Sequence, residues 1–97
     1  MGTEKLVSVL SALAQPTRLM IVRLLCEHSA TGLTTSQLAE LASTPLNTMS
    51  GHLGILARVG LVKSERSGRN ITYDIVAKVL TDASGDLHSM AAAKPLK

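Results

Sequence analysis

The hydrophobic pattern of this chain changes period once in its central part, at Gly60, and that change restricts the architecture more than any other feature. Before it, apolar residues recur at the spacing of helix faces; after it, from Leu61 to Val76, they alternate as in a strand. A helical stretch, one hairpin and a closing helix leave few ways to bury a core. A chain of 97 residues takes only about 65% of its unfolded surface out of water, so one thin-cored domain over residues 1–97 is expected.

Leu6, Val9, Leu10 and Leu13 predict a first helix over about residues 4–14. Read as a secretory leader, the same stretch fails, because Ser8 and Ser11 break its apolar run. Leu6 also stands where a myristoylation motif wants Ser or Thr. Pro16 suits the first turn of a second helix, where its missing N–H is no loss. That helix is apolar nearly all round from Leu19 to Cys26, with only Arg23 and Glu27 as a polar stripe, so it is expected at the buried centre. The stretch from His28 to Gly32 reads as a loop.

Thr34 and Gln37 have the spacing of a capping box and start a third helix, with Leu38, Leu41 and Ala42 facing inward. Ser43-Thr44-Pro45 interrupts it; Thr44 is expected to cap a fourth helix with Pro45 at its first position. That helix runs to about Val59 and ends at Gly60. Its inner face is Leu46, Met49, Leu53 and Leu56. Leu61–Arg66 and Asn70–Val76 form a hairpin around Ser67-Gly68-Arg69, with Ile71, Tyr73 and Ile75 on one face. A last helix over about residues 78–93 carries Val79, Leu80, Ala83, Leu87 and Met90 along one side. The expected fold is mainly α with a small β-hairpin: a winged helix-turn-helix of about five helices plus a two-stranded wing. The helix-turn-helix spans about residues 34–59 and the wing about residues 61–76.

The fourth helix is unusual on its outer side. Asn47, Ser50, Gly51, Gly54 and Arg58 lie there, with Thr48 and His52 on the flanks, and no acid occurs between Glu40 and Glu65. Small residues permit close approach to a major groove, and short amides and hydroxyls reach base edges and phosphates. A plain solvated face, by contrast, usually carries Glu and Lys. From Leu41 to Tyr73 the charged residues are Arg58, Lys63, Arg66 and Arg69 against Glu65 alone, so the whole net charge of +3 sits on this unit. Cations beside a duplex release condensed counterions, which drives binding and makes it salt-dependent. The wing tip from Arg66 to Asn70 is placed to offer an Arg to a minor groove. The DNA-contacting set read from the sequence is Asn47, Thr48, Ser50, Gly51, His52, Arg58, Lys63, Arg66, Arg69 and Asn70. Tyr73 is the only aromatic residue, which argues against single-stranded nucleic acid gripped by stacking.

The stretch LSALAQPTRLMIVRLL, together with TTSQLAELASTPLNTMSGHLGILARVGLVKSERSGRNITYDI, resembles the ArsR/SmtB family of bacterial winged-helix repressors. The likeness covers roughly residues 10 to 76 and rests on PTRL opening the second helix, on Ser50, His52, Leu53 and Leu56, and on GLV…GR…Y in the wing. Gly51 departs from the larger basic or polar residue of many relatives, which leaves base preference there open. The resemblance implies a cytoplasmic homodimer paired through its first and last helices, with no membrane association. It would sit on an inverted-repeat operator in double-stranded DNA and leave it when an inducer arrives. Dimerisation also follows from the two amphipathic outer helices of a thin domain.

The family's signal sites fit poorly. Thr34 and Ser36 stand where its Cys-x-Cys metal site would be. Asp86 and His88 have the spacing of half a zinc site, and two ligands per chain would make four in a dimer, the usual number. An isolated Asp and His also read as solvated surface groups, so no cofactor is expected. Cys26, the only cysteine, reads as a small buried core residue, with an intersubunit disulfide as the redox alternative. No nucleophile elbow, phosphate loop or paired carboxylates are present, so no enzyme is expected. The competing class is a winged-helix module that binds protein, marked by exposed apolar or acidic residues on the fourth helix and wing, and neither is expected in this chain.

Overall fold

Between Leu13 and Pro16 the chain turns a sharp corner, where two helices meet at 95°. The computed structural model describes residues 1–95. In chain order these form α1 (Thr3–Leu13), α2 (Pro16–Glu27), β1 (Leu33–Thr34), α3 (Thr35–Leu41), α4 (Leu46–Arg58), β2 (Val62–Ser67), β3 (Asn70–Ile75) and α5 (Ala77–Ala93). The fold is the expected winged helix-turn-helix, with one addition to the wing: β1 joins it, making an antiparallel sheet ordered β1-β3-β2. Leu33 pairs with Tyr73 and Thr34 with Thr72, while Val62 pairs with Ile75 and Ser67 with Asn70.

Gly32 makes the third strand feasible. Its φ is +68°, and a Cβ there would stand 2.9 Å from the Tyr73 carbonyl oxygen. Any side chain would meet both backbone strain and a clash with the strand it delivers β1 to. Thr34 then serves twice, as a strand residue and as N-cap of α3. Its hydroxyl accepts the Gln37 N–H at 3.1 Å, and Gln37 Oε1 accepts the Thr34 N–H at 2.8 Å.

The core runs through Val9, Ile21, Leu25, Leu38, Met49, Leu53, Leu56 and Leu61, all fully buried. Several expected inward positions fall outside it. α2 is buried on one side only, through Ile21, Val22 and Leu25, while Leu19, Met20 and Cys26 are exposed. α1, α4 and β3 pack against α2, and among the described residues nothing covers the surface that carries Leu19, Met20 and Cys26. Cys26 is therefore a surface thiol and not a core residue. On α3, Ala39 is buried and Leu41 is 52% exposed, because the helix turns its Leu38–Ala39 edge to α4 and the sheet. Leu46, 54% exposed, lies at the rim of the inner face of α4 in its first turn.

Thr44 does not cap α4. Its hydroxyl donates back to the Ala42 carbonyl at 2.9 Å, and Pro45 takes the N-cap position without a side-chain bond. α4 ends as its sequence requires, with Gly60 at φ +80°. Lys5 also reaches over from α1, its Nζ donating to the Val59 carbonyl at 2.6 Å. A cation at that end meets the negative pole of the helix.

Candidate nucleic-acid interface

α4 presents two faces. Met49, Leu53 and Leu56 anchor it in the core. Opposite them Asn47, Gly51, Gly54 and Arg58 follow one exposed line, with Ser50 and Thr48 exposed to either side. A Cβ added to Gly51 or Gly54 would meet nothing within 4 Å. Neither glycine is required by the packing of this chain, although each weakens a helix by roughly 1 kcal/mol relative to Ala. A flat, shallow surface results.

Asn47 is partly committed. Its Oδ1 accepts the Thr48 N–H at 2.9 Å, satisfying one of the free donors of the first turn. Its amide NH₂ remains as a donor, so Asn47 suits an acceptor such as a phosphate oxygen or guanine O6 better than the paired edge of adenine. His52 is half-buried on the flank, with Nδ1 3.4 Å from Arg18 Nη1.

The wing carries Lys63, Arg66, Arg69 and Asn70, all exposed. Among the described residues, no carboxylate lies within 4.0 Å of Arg58, Lys63, Arg66 or Arg69. Their settings differ. Lys63 pairs across the sheet with Asp74 and shares that face with Glu65, two positions along. Arg66, opposite Ile71, points to the other face, and Arg69 sits at the hairpin tip beside Asn70. Arg58, Arg66 and Arg69 are thus the cations free of acidic neighbours on their own face, and Lys63 is not.

Apolar residues also reach this surface: Leu46, Ile55 on α4 at 36% exposure, and Ile71 on the wing at 39%. Leu46 and Ile55 are nine positions apart, about 180° around the helix, so they form no single patch. The expected lack of exposed apolar residues here is corrected accordingly.

The remaining candidates are dispersed. Asp86 pairs with the Met1 ammonium at 3.5 Å, and His88 is exposed. Among the described residues no group of three or more His, Cys, Asp or Glu side chains stands close enough to hold a metal. No single helix among them is long and apolar enough to cross a membrane.

A helix-turn-helix domain family model matches residues 13–65. The chain is 36% identical over 73 residues to an uncharacterised helix-turn-helix-type transcriptional regulator of Methanocaldococcus jannaschii, covering 75% of this chain and 80% of that protein. An ArsR-like transcriptional regulator from Rhodococcus sp. RHA1 superposes with a TM-score of 0.80 at 29% identity, covering 92% of this chain and 81% of that one. The homodimeric winged helix-turn-helix DNA-binding domain of a possible ArsR-family regulator from Mycobacterium bovis superposes with a TM-score of 0.69 at 27% identity. That match covers 96% of this chain and 89% of the other.

Proposed function

Since the chain belongs to the ArsR family of winged helix-turn-helix transcriptional regulators, we propose that it is a homodimeric repressor acting on an inverted repeat in double-stranded DNA. An inducer would release it, and it would act in the cytoplasm without catalysis. The observation that carries this reading is the outer face of α4: acid-free, studded with short polar groups, and kept flat by two glycines its own packing does not need. α4 enters the major groove; Asn47, Thr48, Ser50, Gly51 and His52 approach base edges and nearby phosphates. Arg58, Arg66 and Arg69 hold the backbone or the minor groove, with Asn70 beside them and Lys63 in a lesser part.

Dimerisation is supported by an apolar surface that the single chain leaves uncovered. Val7 is 59% and Leu10 36% exposed on α1, and Leu87 43% and Met90 60% exposed on α5. The Met1–Asp86 ion pair brings the start of α1 against α5. Two-fold pairing of these faces places two copies of α4 about one or more duplex turns apart.

Two substitutions separate positioning from reading. Arg69→Ala is expected to weaken binding to operator and random duplex alike and to reduce the salt slope by about one per protomer. Unchanged affinity would remove the wing from the interface. Asn47→Ala is expected to lower discrimination between the two duplexes by roughly tenfold, measured as a ratio of dissociation constants.

The glycines provide a test with opposite signs. Gly54→Ala is expected to stabilise the free protein by about 0.5–1 kcal/mol and yet weaken its grip on DNA, because the methyl group holds the helix off the groove. Thermal melts and duplex titrations check both halves. A variant that is more stable and binds as before would mean that this face makes no close contact.

A further inference from the structure

Arg18 lies outside the surface just assigned to DNA, yet it touches the recognition helix. Its backbone N–H donates to Gln15 Oε1 at 2.8 Å, which seats it in the first turn of α2. Its Nε donates to the Ala12 carbonyl at 2.6 Å, and its Nη1 stands 3.4 Å from His52 Nδ1. The Ala12 carbonyl belongs to the last turn of α1, where carbonyls have no helical partner. One guanidinium therefore ties the end of α1 to the flank of α4. Lys5 makes a separate tie between the same helices at the Val59 carbonyl.

The two ties differ chemically. Lys5 meets a backbone carbonyl, but Arg18 meets a ring nitrogen whose role depends on its proton. A guanidinium has donors only, so the nitrogen facing it presents its lone pair. A neutral His52 then carries its proton on Nε2. We propose that Arg18 is a positioning residue for DNA recognition: it holds His52 in the Nε2–H tautomer, so that the ring acts as a donor toward a hydrogen-bond acceptor on the duplex. This rests on the DNA-binding reading above. The matching acceptors are a guanine O6 or N7 and a phosphate oxygen.

Arg18→Lys preserves the charge but offers no planar fork able to meet the Ala12 carbonyl and the imidazole together. Its effect should pass through His52, whereas that of Lys5→Met should not. Three measurements on the full chain test this. Nitrogen-resolved NMR of the neutral His52 ring should show the proton on Nε2 in the native protein and a mixed population in Arg18→Lys. A ring protonated on Nδ1 in the native protein overturns the proposal without any substitution. In duplex titrations, Arg18→Lys and His52→Phe should each cost roughly tenfold, and the double variant should cost little more than either. Lys5→Met combined with His52→Phe should be additive.

Loss of discrimination identifies a base edge as the acceptor, and an equal loss on operator and random duplex identifies a phosphate. Additive losses for Arg18→Lys and His52→Phe, or no loss from a folded Arg18→Lys, overturn the proposal. Failure of the native protein to bind either duplex is a different result. It removes the DNA-binding reading itself, while the ring proton still reports whether Arg18 sets the tautomer.

Discussion

Leu53→Ala is expected to destabilise the protein by about 2–5 kcal/mol, out of a total that for a domain of this kind is about 5–15 kcal/mol. Leu53 is fully buried in the middle of α4, between Met49 and Leu56, within the cluster that includes Ile21, Leu25, Leu38 and Leu61. Truncation removes transfer energy and leaves a cavity, and a core this thin has little material to collapse into it. Leu46→Ala on the same helix is expected to change stability far less, because that side chain is already 54% exposed. Urea melts of the two variants give the comparison. Equal losses would contradict the orientation assigned to α4, and with it the identity of the face offered to DNA.

The second large effect concerns the uncovered apolar surface. Leu87→Glu together with Met90→Glu is expected to yield a folded monomer of about 10 kDa by sedimentation, with operator affinity reduced by about 10²–10⁴-fold. Val79, Leu80 and Ala83 at the start of α5 lie on the same side as Leu87 and Met90; Ala83 is buried and Val79 and Leu80 are half-buried, while Leu87 and Met90 are exposed. The molecule measures 54 × 23 × 23 Å, an elongated outline for a chain this short. Charges on the uncovered half should cost the monomer little and the pair a great deal. Each remaining monomer would hold one half-site and lose the gain from linking two. A doubly substituted chain that still sediments as a dimer would move the interface elsewhere, to α1 or to the exposed Leu19–Met20 face of α2.

Local signals carried most of the architecture. The capping box of Thr34 and Gln37, Pro16 at a first turn, Gly60 past a helix end and the alternation after it act over a few residues, and each stands as expected. Positions settled by tertiary packing were not legible in that way. Leu41, Leu46 and Cys26 have core-like chemistry, and only the arrangement of neighbouring elements leaves them outside. β1 is two residues long, too short for any period, though the positive φ of Gly32 leaves a trace of it as a glycine just before the capping box. Within the candidate interface, residue types and net charge were legible in the sequence, but the acids around Lys63 became visible only with the strand register. Arg18 was unreadable as a functional residue, because its partners Ala12 and His52 come from two other helices.

Binding of duplex DNA by α4 and the wing, both electrostatic and specific, is the central proposal for this chain. The direct measurement is titration of the purified protein with a duplex from upstream of its own gene and with a random duplex of equal length. Salt would be raised from about 50 to about 200 mM, and if Arg58, Arg66 and Arg69 of both protomers each neutralise one phosphate, affinity should fall roughly a thousandfold. The upstream duplex should stay the tighter ligand throughout, with two chains bound per site. Absence of binding to both duplexes at the lower salt, or binding that does not change with salt, would contradict the account.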